Sequence, residues 1–151
     1  MGQGSIIGYE INEKTCQISF YNEKDLEPDT LEVDTDNYQI PLIIGKLRDT
    51  WAYGKEAKRL VTIKDGFTAT RLLSKSLAGD KIEFGEETYD AVWLLSQFIQ
   101  MSLQSFPEID GIVFTVPSLS EEMAQMLRGI AVRMNIDKRN IFIQDYKESF
   151  C

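Results

Sequence analysis

Seven carboxylates crowd into residues 22–37: Glu23, Asp25, Glu27, Asp29, Glu32, Asp34 and Asp36, against Lys24 alone. Clustered carboxylates ligate hard cations, so metal binding is the first chemistry to weigh. The spacing opposes it, because the ligand positions and central glycine of a calcium loop are absent. A solvated acidic loop over 22–37 is the plainer reading. The chain carries a formal net charge of -8, which disfavours nucleic acid, whose phosphates require clustered Lys and Arg. No histidine occurs. That removes Ser-His-Asp and Cys-His nucleophile pairs and histidine-based zinc sites. Two cysteines, Cys16 and Cys151, are too few for a disulfide framework, and Cys16 reads as a buried thiol within a strand.

At 151 residues, with 43% hydrophobic and 11% aromatic residues, the chain is expected to be one globular domain, 1–151. No apolar run approaches the roughly 18 residues of a membrane span. The N-terminus lacks the basic and apolar regions of a signal peptide. Its Met-Gly start fails the myristoylation motif, because position 6 is Ile6. A soluble, cytoplasmic protein without a membrane partner is expected.

The elements that must position any site follow from periodicity. Residues 5–11 and 15–21 alternate loosely about Asn12-Glu13-Lys14, which predicts a hairpin. Ile40-Pro41-Leu42-Ile43-Ile44-Gly45 reads as a third strand, with Pro41 at its start or on an edge. Trp51-Ala52-Tyr53 is extended, and Gly54 breaks into a brief helix over 55–60. Residues 60–89 form a small insertion, with a short helix over 68–77 closed by Gly79 and a hairpin across Gly85-Glu86. Asp90 suits an N-cap for an amphipathic helix from Val92 to Phe106, ended by Pro107. Ile112 to Val116 reads as a strand covered on both faces. Ser118 and Glu121 offer a capping box for the helix carrying Met123, Met126, Leu127, Ile130, Ala131 and Met134. Asn135 closes that helix, and Asn140 to Gln144 is the last strand. Three antiparallel strands followed by parallel crossovers predict an α/β, ribonuclease H-like fold: a five-stranded mixed sheet with flanking helices.

Five segments in this order resemble the nucleotide-binding domain of the Hsp70/actin superfamily. They are Ile7-Gly8-Tyr9-Glu10-Ile11, Thr15-Cys16-Gln17-Ile18-Ser19, Ile40-Pro41-Leu42-Ile43-Ile44, Tyr53-Gly54-Lys55-Glu56-Ala57-Lys58 and Phe114-Thr115-Val116-Pro117-Ser118. The resemblance implies the first lobe of such a domain, truncated before its second lobe. In the family the first hairpin turn binds phosphate, and a nearby aspartate helps hold hydrated magnesium. Here Glu10 stands at the aspartate position, Asn12 at the glycine, and Glu13 and Lys14 at the two threonines. Lys58 stands at the family's catalytic lysine, an electrostatic stabiliser of phosphate. Its alternative is an exposed lysine in the last turn of a short helix. Glu13 sets a negative charge against any phosphate, and Lys14 offsets part of it. A degraded phosphate grip is expected.

The resemblance therefore implies no cofactor for this chain alone, with ATP and magnesium reserved for a protein completed by a second lobe. That missing lobe is the expected partner. A non-catalytic scaffold that binds another protein, or self-associates, is the alternative on the same fold. The face bearing Trp93 and Phe98, and the Met-rich helix, are candidate partner surfaces or core packing. A ribonuclease H-like nuclease is the remote alternative. It would need carboxylates converging with Glu10, where Thr115 and Gln144 stand instead.

Overall fold

The computed structural model describes residues 5–22, 25–30, 39–106 and 108–145. In chain order the elements are β1 (Ser5–Ile11), β2 (Thr15–Asn22), β3 (Asp25–Thr30), β4 (Ile40–Pro41), β5 (Ile44–Leu47), β6 (Thr50–Tyr53), α1 (Lys55–Arg59), β7 (Gly66–Ala69), α2 (Leu72–Ala78), β8 (Lys81–Phe84), β9 (Glu87–Asp90), α3 (Ala91–Ser102), β10 (Ile109–Val116), α4 (Glu121–Arg133) and β11 (Ile141–Asp145). The chain divides into two compact units. One comprises Met1–Asn12, Cys16–Gln39 and Gln104–Cys151, and the other Glu13–Thr15 and Ile40–Leu103.

In the first unit five strands lie in the order β11-β10-β1-β2-β3. β1, β2 and β3 pair antiparallel, whereas β10 runs parallel to β1 and β11 parallel to β10. This is the expected ribonuclease H-like mixed sheet. Its strands alternate because successive side chains leave a strand on opposite faces. Ile7, Tyr9 and Ile11 are buried together with Ile18, Ile112, Phe114 and Val116, while Ile6 before them and Glu10 between Tyr9 and Ile11 are exposed. The Tyr9 and Phe114 rings meet edge to face at 5.7 Å. α4 packs on β11 and buries Met123, Leu127, Ile130 and Ala131, which share one helical stripe.

Cys16 is buried in β2, and its thiol donates to the Tyr9 hydroxyl at 3.6 Å. Burial pushes its pKa up to about 12, against a lowering by the Tyr9 bond. The thiolate is the nucleophile, so Cys16 should resist iodoacetamide at pH 8 in the folded chain and react once urea unfolds it. Peptide mass spectrometry reads this directly, and alkylation of native Cys16 would mean that the β1–β2 pair opens readily.

In the second unit β6, β5 and β7 form an antiparallel sheet, and β8 and β9 form a hairpin. α3 packs on α2, β5 and β6. Leu94, Leu95, Phe98 and Ile99 are its buried stripe, so the Phe98 face of α3 is core. Tyr53 meets Phe98 edge to face at 5.7 Å.

The structure corrects several expectations. A strand from the acidic segment, β3, pairs with β2 at the edge of the main sheet, and of the expected strand over residues 40–45 only β4, Ile40–Pro41, pairs with β2. An edge strand needs hydrogen bonds on one side only, so it tolerates Pro28 and the three carboxylates Asp25, Glu27 and Asp29 in a way that a central strand does not. The rest of the acidic segment lies outside the described residues. Residues 40–45 break after Pro41 because Ile43 N–H turns back to the Pro41 carbonyl at 2.9 Å, and Leu42 N–H donates to the Lys14 carbonyl at 2.8 Å. Residues 66–69, partly assigned to a helix, pair with β5 instead, and α2 starts only at Leu72. β10 is covered unevenly, with Val113 and Thr115 half-buried. The cap of α4 is Ser120 rather than Ser118, its hydroxyl accepting from Met123 N–H at 3.1 Å. Asp90 sits at the start of α3 but makes no capping hydrogen bond.

Candidate functional site

Glu10 lies on the open face of the main sheet. Strand register sets it beside Gln17 of β2 and Thr115 of β10, and Thr115 beside Gln144 of β11. A polar row thus crosses four strands. Gln144 Nε2 donates to Thr115 Oγ1 at 3.2 Å. Below this row, Gly8 aligns with Ser19 and leaves a hollow. A Cβ on Gly8 would lie 2.5 Å from Ser19 Oγ. The row and the hollow bound a recess of about 380 Å³. None of its lining side chains is cationic, and Glu10 is its sole carboxylate. No group of three or more His, Cys, Asp or Glu side chains suited to a metal occurs among the described residues.

The hairpin turn Asn12-Glu13-Lys14 forms as expected between β1 and β2. None of its residues has positive φ, so an asparagine can stand at the family's glycine position without backbone strain. Within the second unit, Glu13 accepts a short hydrogen bond from the Ser74 hydroxyl of α2. Its other carboxylate oxygen is buried and has no hydrogen-bond partner. Like charge repels phosphate most strongly where water is excluded.

Lys58 lies exposed on α1, and its amide donates to the Gly54 carbonyl at 3.0 Å. Its neighbour Arg59 holds Glu56 at 3.2 Å. Glu10 and Asn12 fall in the first unit, and Lys14 and Lys58 in the second.

One constellation escaped the sequence reading. Lys46 of β5 donates to Glu87 Oε1 and to the Tyr89 hydroxyl, both at 3.0 Å, and lies 5.1 Å from the Trp51 ring centre. Tyr89 stacks on Trp93 at 5.2 Å, and Trp93 remains 42% exposed. The Tyr89 and Glu87 bonds raise the Lys46 pKa, and the Tyr89 and Lys46 bonds lower that of Glu87. The cluster clamps the β8–β9 hairpin onto β5 and β6. Its one sequence signal was aromatic density around positions 84–93.

No helix is long and apolar enough to cross a membrane among the described residues. The five-strand order defines an actin-like, ribonuclease H-like fold. The chain is similar in structure to a non-polymerising mutant of MamK bound to AMPPNP, MamK being an actin-like ATPase. That likeness has a TM-score of 0.64 at 11% identity, covering 96% of this chain and 42% of the MamK chain. This chain thus spans less than half of that protein's length. No curated protein matches the sequence. The chain belongs to the family of unknown function DUF5716, whose C-terminal model matches residues 27–151.

Proposed function

We propose that this chain is one lobe of an actin/Hsp70-type protein whose phosphate turn is degraded, cytoplasmic, and without ATPase activity on its own. The actin-like fold supports the ancestry. The observation that carries the loss of function is Glu13, held by Ser74 with its second oxygen buried. A carboxylate group in the turn opposes phosphate, and its chain neighbour Lys14 offsets only part of that. ATP and magnesium would need a second lobe to close a cleft over them. The polar row through Glu10 does not support nuclease chemistry, because its other members are Gln17, Thr115 and Gln144. Two-metal cleavage needs carboxylates there. A role in binding other proteins fits a lobe that keeps its fold after losing its grip on nucleotide.

Calorimetry with ATP and magnesium tests this. The chain should release no binding heat at concentrations of about 1 mM nucleotide, a level that excludes binding free energies stronger than about -4 kcal/mol. Glu13→Thr should be the one change that raises affinity. Micromolar binding by the unaltered chain, abolished in Lys58→Ala, would restore the ATPase reading.

A further inference from the structure

The charge of the chain reverses locally within the second unit. Residues 55–64 carry Lys55, Lys58, Arg59 and Lys64 against Glu56 alone, in a chain whose formal net charge is -8. The same stretch leaves two aliphatic side chains in water. Val61, at 66%, is the most exposed large hydrophobic residue among the described residues, and Ile63 two positions on is 43% exposed. Neighbouring exposed apolar side chains rimmed by charge mark an interaction surface.

This stretch is built, and not loose. α1 ends in a 3-10 turn, Leu60–Thr62, whose Leu60 is buried. Ile63 N–H donates to the Leu60 carbonyl at 3.1 Å, and Gly66 N–H to the Ile63 carbonyl at 3.1 Å. Asp65, at φ 70, makes the left-handed step into β7 that aspartate tolerates better than most side chains. Gly66 lies so close beneath the turn that a Cβ would come 2.8 Å from the Leu60 carbonyl oxygen. With Leu60 anchored inward, Val61 and Ile63 are presented on a fixed backbone, which lowers the entropy lost on docking. Arg59 is bridged to Glu56 at 3.2 Å, an exposed pair that contributes little and exchanges partners easily. Lys58 and Lys64, before and after the two aliphatics in the chain, are exposed.

We propose that this loop docks a short acidic segment of another protein, one with leucine-type side chains among its aspartates and glutamates. Val61 and Ile63 take its apolar side chains, and Lys58 and Lys64 pair with its carboxylates. Charge selects this occupant over an extended polyanion. A nucleic acid or an anionic membrane presents negative charge well beyond the loop, so the net -8 of the chain opposes its approach. A short segment meets only charges within about a Debye length, roughly 8 Å at physiological salt, where the cations prevail. The contact is independent of whether the β1–β2 turn grips phosphate, and no nucleotide enters its test.

Selection of random dodecapeptides displayed on phage, with the Met1–Cys151 chain immobilised, tests this. The recovered sequences should be rich in Asp and Glu with interspersed Leu, Ile or Phe. The tightest of them, labelled and titrated by fluorescence anisotropy, should bind at least about tenfold more weakly to Val61→Ser/Ile63→Ser and to Lys58→Glu/Lys64→Glu. All four side chains are exposed, so both variants should melt within about 2 °C of the unaltered chain. Raising salt to about 1 M, where the Debye length is about 3 Å, should weaken binding severalfold. A selection that recovers no peptide, or basic peptides drawn to the acidic segment 22–37, overturns the proposal. So does binding indifferent to both double variants. Capture of the chain by phosphatidylserine-rich vesicles through Val61 and Ile63 would give the loop to a membrane, and self-association lost in Val61→Ser/Ile63→Ser would give it to a second copy. Either result overturns the acidic segment as its occupant.

Discussion

Phe114→Ala should destabilise the chain by about 3–5 kcal/mol, the range for removing a fully buried aromatic ring. Phe114 is 0% exposed at the centre of β10. Register places it between Tyr9 of β1 and Ile143 of β11, so its ring joins both parallel pairings of the main sheet. Alanine there removes the edge-to-face contact with Tyr9 and leaves a cavity that two paired strands cannot collapse to fill. Against total stabilities of about 5–15 kcal/mol, such a loss takes much of the margin. Urea unfolding followed by tryptophan fluorescence measures it. Phe142→Ala is the control: the same residue type on the next strand, exposed on the open face, with an expected change within about 0.5 kcal/mol. Equal effects at the two positions would contradict the assignment of faces.

What the sequence revealed and what it hid separate by distance along the chain. The β1–β2 hairpin, the β8–β9 hairpin with its Gly85-Glu86 turn, and the β10–α4–β11 unit were legible because each is written in adjacent residues. Alternation gives the strands, a turn or cap the join, and Asn135 in the left-handed conformation the helix end. β3 was hidden because nothing local makes Asp25-Leu26-Glu27-Pro28-Asp29-Thr30 a strand. It is one because β2 offers it a free edge. β7 was hidden similarly, since Gly66 to Ala69 is extended through its pairing with β5. The same limit governs the candidate site. Glu10 could be named from its strand, but its row with Gln17, Thr115 and Gln144 exists only in register. Glu13 was suspected of opposing phosphate from its charge alone. The bond that fixes it comes from Ser74, 61 residues away, and no periodicity connects the two.

Gly54→Ala should cost about 2–4 kcal/mol, through two separable effects. Gly54 opens α1 with φ 64 and ψ -132, a conformation costly to any residue with a side chain. It is also crowded: a Cβ would lie 2.7 Å from Ile40 Cγ2, and Ile40 is itself only 2% exposed. The backbone cannot relax freely, because Gly54 N–H donates to the Ile43 carbonyl at 2.9 Å while its own carbonyl accepts from Lys58. Gly79 isolates the first effect. It has φ 73 after α2, but a Cβ there would meet nothing within 4 Å. Gly79→Ala should therefore cost only about 1–2 kcal/mol, the left-handed penalty alone. The excess at Gly54 is the clash, and Ile40→Ala removes the atom responsible. The Gly54→Ala/Ile40→Ala pair should be less destabilised than the sum of its singles, because the two changes share that contact. Strict additivity would leave backbone strain as the whole cost and would remove Ile40 from the account of how α1, and Lys58 upon it, is held.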